Sequence, residues 1–378
     1  LLKIIIISNS DGQNDLLYQI ALTTVPQIGP VQARLLVDTL GSATAVFKAK
    51  KSSLEKIEGI GSVRAASIKN WNDFKLAEAE VRFIDAYKII PLFIKDTAYP
   101  KRLLHCYDAP TLLYYRGNAD LNTTRVVSIV GTRNKTEYGR SVTEKFIADI
   151  SSYPVLIVSG LAMGIDTIAH KAALKHNLPT VGVLAHGMDK IYPPENKRLA
   201  KDMLAGSGGL LTEFPSKTIP DRHHFPTRNR IVAGMADATV VAETAVKGGS
   251  IITAELAFNY NKDLFAFPGR TIDTKSAGCN YLIKQNKAIL ITEATDLLNA
   301  MNWNEQPIKK NKIQRELFIH LSEEEEIITS LLKEKEDISI DELSFKSGLS
   351  ASSLAAAILN LEMENIITAL PGKRYKLV

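Results

Sequence analysis

The residues with the most legible chemistry run from 126 to 139: Val126-Val127-Ser128-Ile129-Val130-Gly131-Thr132-Arg133-Asn134-Lys135-Thr136-Glu137-Tyr138-Gly139. A short apolar run ends in Gly131-Thr132-Arg133, and a helical pattern follows from about Gly139. This predicts a strand, a tight turn and a helix start. Such a junction holds anions, because free backbone N–H groups and the helix N-terminus both attract negative charge. Arg133 and Lys135 add two cations, so a larger polyanion fits better than a bare nucleotide. An arginine here can grip two phosphate oxygens with its planar fork. The competing use for Arg133 is a local ion pair with a carboxylate.

Further groups of the same kind follow along the chain. Ser159-Gly160 and Gly164 are positions where backbone can approach a ligand closely. Met163 lies between them, and Asp166 reads as either a helix cap or a ligand. Phe225-Pro226-Thr227-Arg228-Asn229-Arg230 puts two arginines around Asn229, after His223 and His224, and reads as a basic rim. Those histidines have no Cys, Asp or Glu at metal-ligand spacing. Glu243 and Lys247-Gly248-Gly249-Ser250 complete the set.

These residues need a common scaffold, and the patterning supplies one. Strand-like runs occur at 126–130, 155–159, 180–184, 209–213, 239–242, 263–266 and 288–291, with helical patterns between most of them. Alternating β and α with continuous apolar strands predicts a mainly parallel α/β sheet covered on both faces. Ligands bind such sheets at the C-terminal ends of the strands, where the glycine-rich turns fall.

The flanks differ in character. Residues 14–90 read as helices, and 1–13 as a disordered leader. Two short turns, Pro26-Gln27-Ile28-Gly29-Pro30 and Ile57-Glu58-Gly59-Ile60-Gly61, resemble a tandem helix-hairpin-helix (SAM-like) domain spanning 1–90. Such hairpins can offer N–H groups to phosphates, or serve packing alone. Residues 91–125 form a connector with short strands at the start of a 91–303 domain. Residues 304–322 are a basic linker. Residues 323–378 show three helices and a β-hairpin around Pro371-Gly372, the winged-helix pattern.

The chain has 378 residues, 45% hydrophobic and 23% charged, with a net charge of +5. By segment the net charge is +3 for 1–110, +5 for 111–303, +2 for 304–322 and −5 for 323–378. The basic middle is therefore the polyanion-binding candidate. Ser350 through Ile367 contains no Lys or Arg, which favours protein contact or packing over DNA reading for the last domain. Only Lys373, Arg374 and Lys376 in its wing are basic. Cys106 and Cys279 make neither a disulfide framework nor a zinc spacing. The opening Leu1–Ile7 run is too short for a signal peptide or a membrane span. The expectation is a cytoplasmic protein with no membrane partner and no metal.

Six stretches in order carry a resemblance: Gly131-Thr132-Arg133 with Tyr138-Gly139, 159–166, 187–193, 225–232, 248–255 and Phe267-Pro268-Gly269. Through them the chain resembles the DprA/Smf family of DNA-processing proteins. The resemblance implies an extended Rossmann-like middle domain that binds single-stranded DNA, a homodimer, and a role in loading the RecA recombinase during natural transformation. It implies no catalytic reaction and no cofactor. The nucleic-acid-binding set is then Gly131, Thr132, Arg133, Lys135, Ser159, Gly160, Met163, Gly164, Phe225, Arg228, Asn229, Arg230, Lys247, Gly248, Gly249 and Ser250. Met163 departs from the family, which often carries a lysine there. Lys247 stands where a small residue is usual, and Gln27 where a glycine is usual.

One enzymatic alternative remains. The 248–255 stretch is similar to that of nucleotide phosphoribohydrolases, in which Glu255 and Arg230 would act on an N-glycosidic bond. No Gly-x-x-x-x-Gly-Lys-Ser/Thr run occurs, which removes a P-loop motor.

Overall fold

The N-terminal helices are set by their end residues. A computed structural model describes residues 10–304 and 321–377, apart from 336, 365, 371 and 372. Residues 10–13, read as leader, already begin α1 (Ser10–Leu22). The rest of that leader, almost all of the basic linker and the Pro371-Gly372 turn lie outside the described residues. The chain divides into two units, 1–306 and 307–378.

In the first unit, α2 (Pro30–Leu40) opens with Pro30, whose fixed φ suits a first helical turn, and ends at Gly41 with φ +92°. Then come α3 (Ala43–Lys48), α4 (Lys51–Glu55), α5 (Gly61–Asn70) and α6 (Phe74–Tyr87). Gln27 sits in the left-handed region at φ +67°. The first hairpin therefore keeps the backbone shape that a glycine would adopt freely, at some strain. Gly59 and Gly61 supply positive φ in the second hairpin.

Next are β1 (Ile90–Phe93), α7 (Lys101–Leu104), β2 (Leu112–Gly117) and β3 (Val126–Gly131). They are followed by α8 (Glu137–Ile150), β4 (Leu156–Ser159), α9 (Ile165–Lys175) and β5 (Thr180–Val183), then α10 (Lys197–Ala205) and β6 (Gly209–Thr212). The unit closes with α11 (His224–Gly234), β7 (Ala238–Glu243), α12 (Gly249–Asn259), β8 (Asp263–Ala266), α13 (Ala277–Lys284), β9 (Ile289–Leu290) and α14 (Ala294–Ala300).

The nine strands form one sheet in the order β1-β2-β6-β5-β4-β3-β7-β8-β9. Strands β3 to β9 pair in parallel. The two connector strands extend this sheet, with β2 antiparallel to both β1 and β6. Beside β3 the order reverses. From β3 the chain runs outward through β4, β5 and β6, then returns to place β7 on the other flank. The loops leaving β3 and β7 diverge there and open a crevice at the strand ends. One apolar layer joins the helical segment to one sheet face, through residues such as Leu36, Ile84, Leu113 and Val241. A second layer, with Phe146, Ile168 and Phe265, fills the other face.

The second unit packs α15 (Glu323–Glu334), α16 (Ile340–Ser347) and α17 (Ala351–Met363) against a three-stranded sheet. Its strands, β10 (Ile338–Ser339), β11 (Ile367–Leu370) and β12 (Arg374–Leu377), lie in the order β10-β12-β11. Ser322, Ser339 and Ser350 each cap the helix that follows, which fixes the three starts. Strand β10 is an addition to the three helices and hairpin expected.

Candidate nucleic-acid site

The turns after β3, β4 and β7 are laced by backbone contacts. Thr132 N–H donates to Glu243 C=O at 2.7 Å, and Ile165 N–H donates to Thr132 C=O at 3.2 Å. Gly164 has φ +83°, and a Cβ there would collide with the Thr132 and Arg133 carbonyls. Gly131 has no room for a side chain because Ile165 lies against it. Small residues here allow backbone to meet backbone.

The helix start after β3 does not hold a free anion seat. Glu243 already fills it, accepting from Thr136 N–H at 2.9 Å and Thr136 Oγ1 at 2.6 Å. Gly139 is required because a Cβ would strike that carboxylate. The open helix start is that of α12, where N-cap Gly248 has no side chain to cap it and nothing lies within 4 Å of a Cβ built on Gly249. Ser250 is turned inward and donates to Thr244 Oγ1 at 2.7 Å.

Between these turns lies a cavity of about 520 Å³. It gathers Gly131, Thr132, Arg133, Gly160, Phe225, Arg228, Asn229, Gly248, Gly249 and Ser250 from the expected set. Arg133 is exposed at its mouth. Its guanidinium lies 4.9 Å from the Phe225 ring centroid, a cation–π contact that holds the charge outward. Tyr192, 45% exposed, stands 6.1 Å from Phe225, ring to ring. Met163 is exposed beside this aromatic pair and lines a smaller adjoining pocket with Arg133, Phe225 and Tyr192. Lys135 and Lys247 are exposed on the turns themselves.

Other residues of the expected set have different work. Arg228 and Arg230 are buried, at 5% and 9% exposure, so they do not form a basic rim. Arg228 Nη1 donates to the carbonyls of Gly160, at 2.6 Å, and Val183. Burial, partly offset by Asp166, pulls its pKa down to about 10. Arg230 faces a separate cleft and pairs with Glu213 and the Asp108 carbonyl. Ser159 is fully buried and donates to Ile129 C=O at 2.6 Å, which takes its hydroxyl out of the cavity. Gly164 shapes the turn without lining the cavity. Asp166 is not the helix cap, since Gly164 holds that position. Its carboxylate instead accepts from Ala162 N–H at 3.2 Å, and burial raises its pKa against the pull of Arg228.

The two residues of the hydrolase reading are each paired elsewhere. Glu255 is bound to Lys287 at 2.7 Å, while Arg230 is committed to Glu213. Three site residues were absent from the expected set: Tyr192, which stands beside Phe225 and lies in the 187–193 stretch, Arg222 and Lys275. Arg222 lines the cavity and is exposed. Lys275 Nζ donates to Asn134 C=O at 2.9 Å, bracing the Arg133 turn. Arg222 was legible as the one cation in the Asp221-Arg222-His223-His224 run. Lys275 had no local signal, because its contact spans the chain. Among the described residues no group of metal-ligating side chains is present and no helix is long and apolar enough to cross a membrane.

Comparison with known proteins bears on this arrangement. The family model for DNA recombination-mediator protein A matches residues 91–302. A Protein Smf from Synechocystis is 30% identical over 95% of this chain and 98% of its own. The chain belongs to the DprA/Smf family. The DprA winged-helix model matches 319–373, and a SAM-like helix-hairpin-helix tandem matches 20–70. DprA from Streptococcus pneumoniae has a solved structure with a TM-score of 0.66, 33% identity, and coverage of 75% of this chain and 97% of that one. A structure of DprA from Helicobacter pylori, described for its single-stranded DNA binding mode, has a TM-score of 0.52 and 30% identity, covering 57% and 97%.

Proposed function

We propose that this protein is a non-catalytic single-stranded DNA binder, with the binding carried by residues 91–303. The observation that supports this most is the mouth of the cavity. There an exposed Arg133 lies over Phe225, opposite the uncapped start of α12. Phosphates would meet Arg133, Arg222, Lys135, Lys247 and the α12 N–H groups. Bases would meet the faces of Phe225 and Tyr192, which a single strand can offer and a duplex cannot. Family membership supports two finer parts of the reading, a homodimer and the loading of RecA recombinase onto the bound strand. Exposed Ile289 and Leu290 on edge strand β9 suit the dimer contact.

The test is a titration of labelled single strands and blunt duplex at several salt concentrations. The expected result is tighter binding to single strands, with affinity falling steeply as salt rises. Equal affinity for duplex, or no dependence on salt, would refute the reading. Release of free base from nucleoside monophosphates would return the hydrolase reading.

A further inference from the structure

The helical segment touches the site loop through one buried acid. Glu80 on α6 is 5% exposed. Both its oxygens accept from Ser216 N–H, at 2.9 and 3.0 Å, and Oε2 also accepts from Ser216 Oγ at 2.5 Å. Among the described residues, no other hydrogen bond or ion pair from α1–α6 reaches the 214–223 loop. The remaining polar contacts from these helices to the sheet region, those of Arg34 and Asp38, go to 95–106.

That loop has a second hold. Lys217 N–H donates to Asp189 Oδ1 at 2.8 Å, and Thr218 C=O accepts from Gly187 N–H at 3.1 Å. Lys217 itself sits at φ +67°. A lysine keeps that left-handed conformation only where its surroundings over-determine it. A few residues on, the same loop brings Arg222 to the cavity and leads into α11, whose first turn carries Phe225. A buried carboxylate costs stability unless donors satisfy it. Here those donors belong to the loop, so the acid and the loop fix one another.

We propose that Glu80 is a positioning residue: through Ser216 it makes the N-terminal helices set the place of Arg222 and Phe225 in the single-strand site. This rests on the single-strand reading above. It also gives the helical segment a use besides contacting phosphates or packing. Without Glu80 the loop would lose its tie to α6 and keep its contacts to Asp189, Gly187 and Thr212, and Arg222 would be held less firmly at the mouth.

The test uses the full chain and a labelled oligothymidylate over a salt series. Glu80→Ala should weaken binding by about tenfold, the scale of one charge-assisted contact. It should also flatten the log–log salt slope by about one unit, as one phosphate contact is lost. Glu80→Gln, which keeps an acceptor for Ser216 N–H, should recover most of the affinity. The Glu80→Ala/Arg222→Ala pair should bind no worse than Arg222→Ala with Phe225→Ala. Amide exchange across 214–225 in the free protein should quicken in Glu80→Ala. Ser216→Ala, which removes only the hydroxyl contact, serves if Glu80→Ala does not fold. Unchanged affinity and slope in a folded Glu80 variant would overturn the proposal. If the wild-type protein bound no single strand, the proposed function would fail on its own. Exchange across 214–225 would then judge the latch, and an unchanged rate would reject it.

Discussion

The mouth of the cavity and the wall beneath it are both rich in charge, yet the charges differ in kind. At the mouth Arg133 and Arg222 are exposed, Arg133 over an aromatic ring, and Lys135 and Lys247 are exposed on the flanking turns without lining the cavity. In the wall Arg228 and Asp166, and in the separate cleft Arg230 and Glu213, are desolvated and committed to one another or to carbonyls. Burial separates the two roles. A cation in water can exchange its counterions for phosphate. A buried one holds the turns in place and cannot leave its partners without a large penalty.

Substitutions can break this division. Arg228→Ala should have the largest effect, lowering stability by roughly 3–5 kcal/mol, because Asp166 and two carbonyls lose a buried partner. Denaturant unfolding measures it, and a loss below 1 kcal/mol would place Arg228 with the mouth. Arg133→Ala should do the reverse. Stability should stay within about 0.5 kcal/mol. Single-strand affinity should fall by roughly 1–3 kcal/mol, more than for any other single basic residue.

His170 on α9 is fully buried, and its pKa is pulled to about 3 by burial and then by Arg228. Its unfolded value is near 6.5. As pH drops below that, the unfolded chain takes a proton that the folded chain refuses. Stability is therefore intact above about 6.5 and falls until about 3. The slope from this group approaches 1.4 kcal/mol per pH unit. His186, lowered in the same direction, adds to it. Unfolding curves at pH 7, 6 and 5 should show a smaller acid loss in His170→Gln than in the wild type.

Two smaller tests sharpen the mouth. Met163→Lys adds a cation beside Arg133 and should steepen the salt slope by about one unit or slightly less. No change would mean that a neighbouring lysine already meets that phosphate. Deleting 323–378, a segment of net charge −5, should leave affinity unchanged or slightly improved. A tenfold fall with assembly intact would assign DNA contacts to Lys373, Arg374 or Lys376.

How much was legible follows from which interactions are local. Strands such as 263–266 read directly, because a strand covered on both faces is apolar where it is buried, here Leu264-Phe265-Ala266 after the exposed Asp263. Strand β7 extends to Glu243, one residue beyond its apolar run, because that acid is buried beneath the Thr136 turn 107 residues away in sequence. The buried arginines were legible as charges but not as depths. Arg228 and Arg230 are two apart on a helix, so their side chains leave it about 200° apart and enter different spaces. The turn glycines were correctly placed at the strand ends. Which helix start stayed open depended on Glu243, and no local pattern marks that.

The contact between Gly164 and the Thr132 carbonyl has a thermodynamic consequence. Two turns from distant parts of the chain share a hydrogen bond and a surface too tight for any side chain, so neither moves without the other. On the proposed reading, the phosphate seat is preorganised, and little conformational entropy of the protein is lost when a strand arrives. The ordering penalty falls on the nucleic acid. Affinity should then respond to the stiffness of the strand, with flexible pyrimidine tracts and stacked purine tracts differing more in entropy of binding than in contacts made.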